Sequence, residues 1–327
     1  MKFHEKSPKP LYKREDVCYT DTKYCDVSDR VINLYDKFAK DKKDKFAGKP
    51  GADRRRTDEK RQREDRHEAP NGEREALCNG SVPGRNAVRE LLASGRDVEK
   101  IFVQKGQREG SVTVLAAMAL ERSIPLIEVE KAKLDALCGY EQHQGIVAIA
   151  SEKAYVTIDD VLAVAAERGE PPFIVIADGI SDPHNLGAVI RSAEGAGAHG
   201  IIIPKRRAAC VTPAVVKASA GAIEHLAAVK CTNVTEAVKE LQRKGVWVFA
   251  AEADGTPYTK TDYTGACAIV VGSEENGVSR LVRETCDGVI SIPMFGRVNS
   301  LNVSTAAAVL LYEVVRQRGE KKTGSNG

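Results

Sequence analysis

The strongest constraint on the fold is an alternation of apolar and amphipathic segments that begins near residue 78 and continues to residue 318. Short, continuous apolar runs such as Phe173–Ala177 and Ala268–Val271 alternate with longer segments whose apolar residues recur at helical spacing. Apolar runs of this length are typical of strands covered on both faces, as in a parallel sheet. The pattern therefore predicts an α/β fold with helices on both sides of a parallel sheet.

The second half of the chain carries the larger set of predicted elements. Its predicted strands are Phe173–Ala177, Ile201–Ile203, Leu226–Lys230, Val246–Ala251, Ala268–Val271 and Val289–Ile292. Its predicted helices are Leu186–Gly195, Pro213–Ala222, Thr235–Lys244, Val278–Thr285 and Val303–Arg318. Residues 195–200 match GxGxxG, but a dinucleotide-binding fingerprint follows a strand and opens a helix. This match closes a helix, so we interpret it as a helix stop and a turn.

A smaller set of alternating elements precedes this sheet. Its predicted helices and strands are Asn86–Ser94, Ile101–Val103, a helix through 112–119, Ile124–Val129, Lys131–Leu137 and Ile146–Ala150. Thr157 and Asp160 then have the spacing of a capping box that starts a helix ending at Glu167. We predict a charged arm over 1–75, a small α/β domain over 76–152, a connecting helix over 153–170, a larger domain over 171–320 and a tail over 321–327.

Charge is concentrated in the predicted arm. Residues 1–75 hold 21 of the 49 Lys and Arg residues and 17 of the 46 Asp and Glu residues. Residues 40–75 contain almost no large apolar side chain, so they cannot offset the entropy of ordering and are predicted to be disordered. Two interpretations stay open, a solvated tether or an arm that contacts RNA or the ribosome.

Composition excludes several classes of protein. Aromatic residues make up 5% of the chain, too few for the stacking platforms that bind single-stranded nucleic acid, so this mode of binding is not expected. No apolar run approaches the roughly 20 residues of a membrane-spanning helix, and no CxxC or Cys/His cluster has zinc-binding spacing. We therefore expect a cytoplasmic protein without a metal, a membrane segment or disulfide bonds.

Three polar, glycine-containing segments follow predicted strands of the larger sheet. They cover residues 178–191, 271–277 and 292–304. Open α/β sheets bind ligands outside the carboxyl ends of their strands. Each segment by itself is equally typical of a helix cap or a strand-to-helix turn, but the three together predict one site.

The three segments together resemble the signature motifs of the SpoU (TrmH-type) ribose 2′-O-methyltransferases of the SPOUT class. The resemblance covers about residues 76–320 and is carried by Asn185-Leu-Gly187 with Arg191, by Gly272-x-Glu274-x-x-Gly277, and by Ile292-Pro-Met294 through Ser300-Leu-Asn302-Val-Ser304. Upstream, Val82–Val88 and His143-Gln-Gly145 are similar to the small L30e-like substrate-binding domain of the family. The bacterial 23S rRNA guanosine 2′-O-methyltransferases resemble the chain most.

This resemblance implies a deep trefoil knot in the larger domain, S-adenosylmethionine as methyl donor and a homodimer. The implied donor-binding residues are Gly272, Gly277, Ile292, Met294, Leu301 and Asn302. The segment 251–255 follows a predicted strand and is a weaker candidate for the same pocket.

The implied catalytic residues are Arg191, Asn185, Glu274, Ser300 and Asn302. Attack by a ribose hydroxyl requires removal of its proton or stabilisation of the developing oxyanion. A guanidinium stays protonated in proteins, so we expect Arg191 to hold a phosphate or stabilise the oxyanion. Glu274 is then the alternative base, or it orients Arg191 and Asn185.

RNA contacts are predicted from basic residues near these segments. Lys205, Arg206 and Arg207 form a compact basic loop after a predicted strand, which is either a solvated turn or a phosphate-binding loop, and Arg85 of the small domain extends the same track. The predicted substrate is 23S rRNA. The alternatives are tRNA as the substrate of a related enzyme and, in another class, a non-catalytic ribosome-assembly factor.

Overall fold

The computed structural model of the chain describes residues 80–106, 110–138, 142–206 and 208–324. The predicted charged arm over 1–75 lies outside the described residues. The described chain builds two β-sheets, one of four strands and one of six.

The four-stranded sheet has the order β1-β4-β2-β3 and carries three helices. Strands β2 and β3 are parallel, whereas β4 runs antiparallel to both β1 and β2. Its elements are β1 (Ser81–Pro83), α1 (Arg85–Ser94), β2 (Val98–Gln104), α2 (Ser111–Glu121), β3 (Leu126–Val129), α3 (Lys131–Leu137) and β4 (Ile146–Ala150). Alternate residues of β2 face opposite sides, so Ile101 packs in one core and Phe102 in another.

The six-stranded sheet is parallel throughout and has the order β10-β8-β9-β5-β6-β7. Its strands are β5 (Phe173–Ala177), β6 (Gly200–Pro204), β7 (Ala227–Cys231), β8 (Trp247–Pro257), β9 (Cys267–Val271) and β10 (Gly288–Ser291). Its helices are α4 (Ile158–Glu167), α5 (Pro183–Gly195), α6 (Pro213–Ala218), α7 (Val234–Arg243), α8 (Arg280–Thr285) and α9 (Val303–Gly324).

Both faces of this sheet are covered, which confirms the predicted fold class. On β5, Phe173 and Val175 pack in a core that also holds residues of α5, α6 and α9. The intervening Ile174 and Ile176 pack with residues of α4, α7 and α8. The first of these cores also includes Leu91 of the smaller sheet's α1, so apolar packing is continuous between the two sheets.

Locally encoded elements match their predicted bounds. Helix α3, strand β4 and strand β5 have the predicted ends. Thr157 Oγ1 accepts a hydrogen bond from the Asp160 backbone while Asp160 accepts one from the Thr157 backbone, so the capping box is present. Residues 195–200 form the predicted stop and turn, with α5 ending at Gly195 and β6 beginning at Gly200.

Several predicted elements were wrong in extent, among them β2, which begins at Val98 instead of Ile101, and α9, which ends at Gly324 instead of Arg318. The helix predicted over 213–222 ends at Ala218, because Ala220 and Gly221 have φ values of 52° and 90° and a short 3₁₀ turn, Ala222–Glu224, follows. A Cβ at Gly221 would lie 2.7 Å from Glu90 Cβ, so this turn packs directly against α1. Strand β8 extends to Pro257 instead of ending at Ala251, because its polar second half pairs with β10 after a bulge.

Candidate active site

The three predicted segments meet beyond the carboxyl ends of β9 and β10 and the middle of β8. The second and third segments, together with β8 and α9, surround a cavity of about 250 Å³, and the first segment reaches its rim through Asn185. Its walls are formed by Ala251, Glu252, Ala253, Val271, Gly272, Ser273, Glu274, Gly277, Ile290, Ile292, Met294, Asn299, Ser300, Leu301, Val303, Ala306 and Leu310. Five of the six predicted donor-binding residues, all except Asn302, therefore line one cavity.

Asn302 joins all three segments by hydrogen bonds. Its Nδ2 donates to Glu274 Oε1 at 2.6 Å and to Asn185 Oδ1 at 3.1 Å. Its Oδ1 accepts from the backbone N–H and the hydroxyl of Ser304, at 2.9 and 2.6 Å, where α9 begins. Because Oδ1 is occupied by donors and Nδ2 by acceptors, the amide has one defined orientation.

Two glycines let the loop after β9 close tightly. Ser273 and Gly277 exchange backbone hydrogen bonds of 3.0 and 2.9 Å. A Cβ at Gly272 would lie 2.0 Å from the carbonyl carbon of Gly277, so no larger residue fits without a backbone shift. Gly277 has a φ of +63°, and a Cβ there would meet the Glu252 carboxylate. This packing explains both glycines of the second motif.

Carboxylates hold this loop from two neighbouring strands. Glu252 of β8 accepts a hydrogen bond from the Val278 backbone N–H, and Asp178, just after β5, accepts one from Ser279 at 2.7 Å. Asp254 of β8 pairs with Arg283 of α8, and the hydrogen bond from this guanidinium lowers the pKa of the Asp254 carboxyl. The extended half of β8 therefore belongs to the site.

The cavity combines apolar walls with polar groups at its rim. Ile290 and Leu310 are buried, and Met294 and Leu301 remain a little over one-third exposed. Glu252, Glu274 and Ser300 provide side-chain oxygens. Such a cavity suits a ligand with a flat apolar group and a positive charge.

The sequence prediction treated segment 251–255 only as a weaker candidate and missed the cavity-lining residues of α9. Ala251, Glu252 and Ala253 line the cavity, and so do Ala306 and Leu310. A carboxylate at the end of the apolar run 246–251 was the available signal for Glu252. Nothing in the helical pattern distinguishes Ala306 and Leu310 from ordinary core residues.

Arg191 lies on α5 but does not line the cavity. It is six residues beyond Asn185, which corresponds to a rotation of about 120° away from it around the helix. The Arg191 side chain is exposed and forms no hydrogen bond or ion pair with another described residue. The structure thus brings Asn185, Glu274, Ser300 and Asn302 to the cavity or its rim, and leaves Arg191 outside.

The predicted RNA-binding residues fall in two places. Lys205 and Arg206 are exposed directly after β6, at the same edge of the sheet as the cavity, whereas Arg207 lies outside the described residues. Arg85 instead supports a neighbouring loop, since its Nε donates to the Gln144 carbonyl at 3.1 Å and its backbone N–H to Gln144 Oε1 at 3.0 Å. Gln144 has a φ of 52°, so this loop holds an uncommon backbone conformation.

Comparison with known proteins identifies the family. The profile of the SpoU rRNA methylase family matches residues 172–312, and the profile for RNA 2′-O ribose methyltransferase substrate binding matches residues 81–156. The chain is 42% identical over 238 residues to YacO of Bacillus subtilis, named as a TrmH family tRNA/rRNA methyltransferase. This match covers 72% of the chain and 95% of YacO.

The chain belongs to the SpoU (TrmH) family of RNA methyltransferases. A second relative, a TrmH family tRNA/rRNA methyltransferase of Staphylococcus haemolyticus, is also 42% identical over 72% of the chain and 95% of its own length. These relatives confirm the family resemblance that the three sequence motifs indicated.

Solved structures support the same assignment. The SpoU methyltransferase AviRb of Streptomyces viridochromogenes, crystallised with AdoMet, is 28% identical with a TM-score of 0.62, over 76% of this chain and 94% of AviRb. An RNA 2′-O ribose methyltransferase is 26% identical with a TM-score of 0.62, over 76% of this chain and 97% of its own. The trefoil knot and the domain boundaries inferred from the sequence stay predictions.

The described residues contain neither a membrane-spanning helix nor a cluster of metal ligands. No helix among them is long and apolar enough to span a membrane. Within the same residues, no group of three or more His, Cys, Asp or Glu side chains is arranged to hold a metal ion.

Proposed function

We propose that this protein transfers a methyl group from S-adenosylmethionine to the ribose 2′-hydroxyl of a guanosine in 23S rRNA. The observation that carries the proposal is the network in which Asn302 bonds both Glu274 and Asn185 at the rim of the cavity. Membership of an RNA methyltransferase family and the AdoMet-bound AviRb structure support the same chemistry.

The residues of the cavity fit the methyl donor. Ile290, Ile292 and Leu310 offer apolar walls to the adenine ring, and the backbone of the loop after Gly272 offers hydrogen-bonding groups at close range. The Glu252 and Glu274 carboxylates would stabilise the positive charge of a sulfonium. When bound, the donor supplies a methyl group that is activated for attack by an oxygen nucleophile.

The polar network then acts on the incoming hydroxyl. Glu274 is exposed at the rim, and the Asn302 amide fixes one of its oxygens, so the other is available to accept the proton of the ribose hydroxyl. Asn185 and Ser300 add groups that can orient the ribose. Positioning the hydroxyl against the donor is itself a large part of catalysis, on the order of several kcal/mol.

Arg191 has a separate part in this proposal. Its exposure and its lack of a partner among the described residues suit a contact with RNA phosphate better than a contact with the donor. A guanidinium at this position holds the backbone next to the reacting ribose, and its permanent charge stabilises negative charge that develops there.

The choice of rRNA rests on the small domain that precedes the larger sheet. Its match to a substrate-binding family supports recognition of an RNA larger than the reacting nucleotide. The relatives named as tRNA/rRNA methyltransferases make tRNA the second candidate. We further propose a homodimer, since the partly exposed Tyr312 and Val315 leave an apolar stretch on α9.

Labelled methyl transfer tests the proposal directly. Wild-type protein and a Glu274→Gln variant are incubated with labelled S-adenosylmethionine and total RNA from a strain that lacks the protein. Label recovered as 2′-O-methylguanosine in 23S rRNA, and lost with the variant, supports the proposal. Label in tRNA would identify tRNA as the substrate and would leave the proposed ribose methylation unchanged. Absence of both label and donor binding favours the non-catalytic assembly factor.

A further inference from the structure

The loop between β10 and α9 lines the cavity on both sides of a central segment that does not. Met294 lines the cavity before this segment, and Asn299, Ser300 and Leu301 line it afterwards. Between them, residues 295–298 form a tip that is not part of the cavity wall. We call residues 295–298 the loop tip.

The loop tip exposes large apolar side chains. Phe295 is 97% exposed and Val298 is 69% exposed. Phe295 belongs to none of the core clusters and forms no ring contact with another described aromatic residue. Exposing a whole phenylalanine ring forgoes the free energy that its burial would provide, which favours a partner that covers the ring.

Charge next to the ring indicates the chemistry of that partner. Arg297 is exposed in the same tip and forms no hydrogen bond or ion pair with another described residue. An aromatic ring beside an unpaired guanidinium is the combination that binds unpaired nucleotides, because the ring stacks on a base and the cation contacts phosphate.

The position of the loop tip determines which nucleotide it can reach. The reacting ribose has to approach the donor at the mouth of the cavity, and its base is attached to the carbon next to the one that carries the 2′-hydroxyl. The base of that nucleotide, or of its immediate neighbour, therefore lies beside residues that adjoin Met294 and Asn299. A single ring suffices for this contact, so the low aromatic content of the chain does not exclude it.

We propose that Phe295 stacks on a base of the substrate RNA at the methylation site, with Arg297 contacting the adjoining phosphate. This inference deepens the proposed function and rests on its assumption that an RNA ribose enters this cavity. Phe295 is then a substrate-positioning contact that does not take part in donor binding.

Substitutions at Phe295 separate stacking from simple apolar contact. The variants are Phe295→Ala, Phe295→Leu and Phe295→Trp. The control is Trp247→Ala. Trp247 is another exposed aromatic residue, but it lies where β8 begins, at the opposite edge of the sheet from the cavity. The readouts are kcat/KM for total RNA from a strain lacking the protein, donor affinity by calorimetry, and molecular mass by sedimentation.

Stacking predicts a graded result. Phe295→Ala and Phe295→Leu lower kcat/KM for RNA by roughly 5- to 100-fold, mainly through a higher KM for RNA. Phe295→Trp stays within about twofold of wild type, as does Trp247→Ala. The affinity for S-adenosylmethionine and the molecular mass are unchanged in all four variants.

Three results would overturn the inference. Wild-type kcat/KM in Phe295→Ala excludes an important contact, and wild-type activity in Phe295→Leu excludes stacking. A smaller molecular mass in Phe295→Ala shows that a second copy of the chain covers the ring. If the rRNA assignment is wrong, the label appears in tRNA. The kcat/KM ratio between Phe295→Ala and wild type can then be measured on tRNA, so the stacking inference is tested independently of the rRNA assignment.

Discussion

Asn302 Nδ2 lies 2.6 Å from Glu274 Oε1, and this bond joins the loop after β9 to the start of α9. The same nitrogen reaches Asn185 on α5, so one amide ties together three segments that are distant along the chain. A hydrogen bond to a charged group is worth more than a neutral one. In the mechanism we propose, this bond leaves the other Glu274 oxygen for the substrate hydroxyl.

Replacing Asn302 with Asp tests this relationship without removing the helix cap. The Asp carboxylate still accepts from the Ser304 backbone N–H, but it loses the bonds to Glu274 and Asn185 and faces the Glu274 carboxylate. We therefore expect the free energy of unfolding to fall by about 1–2 kcal/mol. The donor to Glu274 is lost, and we expect kcat/KM to fall roughly 10- to 100-fold. Asn276→Ala is the control, since Asn276 is exposed in the neighbouring loop and its side chain bonds no other described residue. If Asn302→Asp and Asn276→Ala have the same kcat/KM, Asn302 has no part in the mechanism.

Arg191 should affect methyl transfer without affecting stability. Because its side chain is exposed and forms no hydrogen bond or ion pair with a described residue, Arg191→Ala should unfold at the wild-type temperature and bind S-adenosylmethionine with wild-type affinity. We expect kcat/KM for RNA to fall about 100-fold or more from loss of phosphate and oxyanion contacts, with partial activity in Arg191→Lys, which keeps the charge but loses the planar fork. Wild-type turnover by Arg191→Ala would contradict this role.

Gly272→Ala should impair donor binding. A Cβ at this position would lie 2.0 Å from the carbonyl carbon of Gly277, so the loop that lines the cavity has to open. We expect the dissociation constant of S-adenosylmethionine to rise at least about tenfold, the equivalent of about 1.4 kcal/mol. Calorimetry measures it, and Gly265→Ala is the control because its Cβ meets nothing within 4 Å. Unchanged donor affinity in Gly272→Ala would mean that the loop adapts.

Glu224 should be important for stability and not for chemistry. It accepts two hydrogen bonds from Arg96 Nη1, at 2.7 and 3.0 Å, and its side chain is only 1% exposed. Glu224→Ala leaves the largely buried Arg96 charge uncompensated, and we expect a loss of about 3–5 kcal/mol in the free energy of unfolding. Urea denaturation measures it against Glu99→Ala, which breaks an exposed pair with Lys100 and should cost at most about 1 kcal/mol. Similar losses in both variants would refute the role of the buried pair.

Much of this molecule could be predicted from the sequence because the relevant signals are local. The capping box at Thr157, helix α3 and strand β5 depend on a few adjacent residues, and each lies where the pattern placed it. The loop that holds Gly272 and Gly277 was also found in the sequence, since it is polar, contains glycines and follows a buried strand. Its assignment to donor binding came from the family resemblance and stays a prediction.

Only the tertiary structure decided which distant groups meet. Asn185 and Asn302 are 117 residues apart, and their contact depends on where α5 and α9 pack against the sheet. The extension of β8 to Pro257 depends on pairing with β10 across a bulge, which overrides the polar character of residues 252–257. The secondary-structure propensity of neighbouring residues carries no information about either contact. Both contacts depend on the order of the strands in the sheet and on how the helices pack against it. The sequence by itself therefore determined the elements and the family, and packing determined the cavity and its hydrogen-bonded rim.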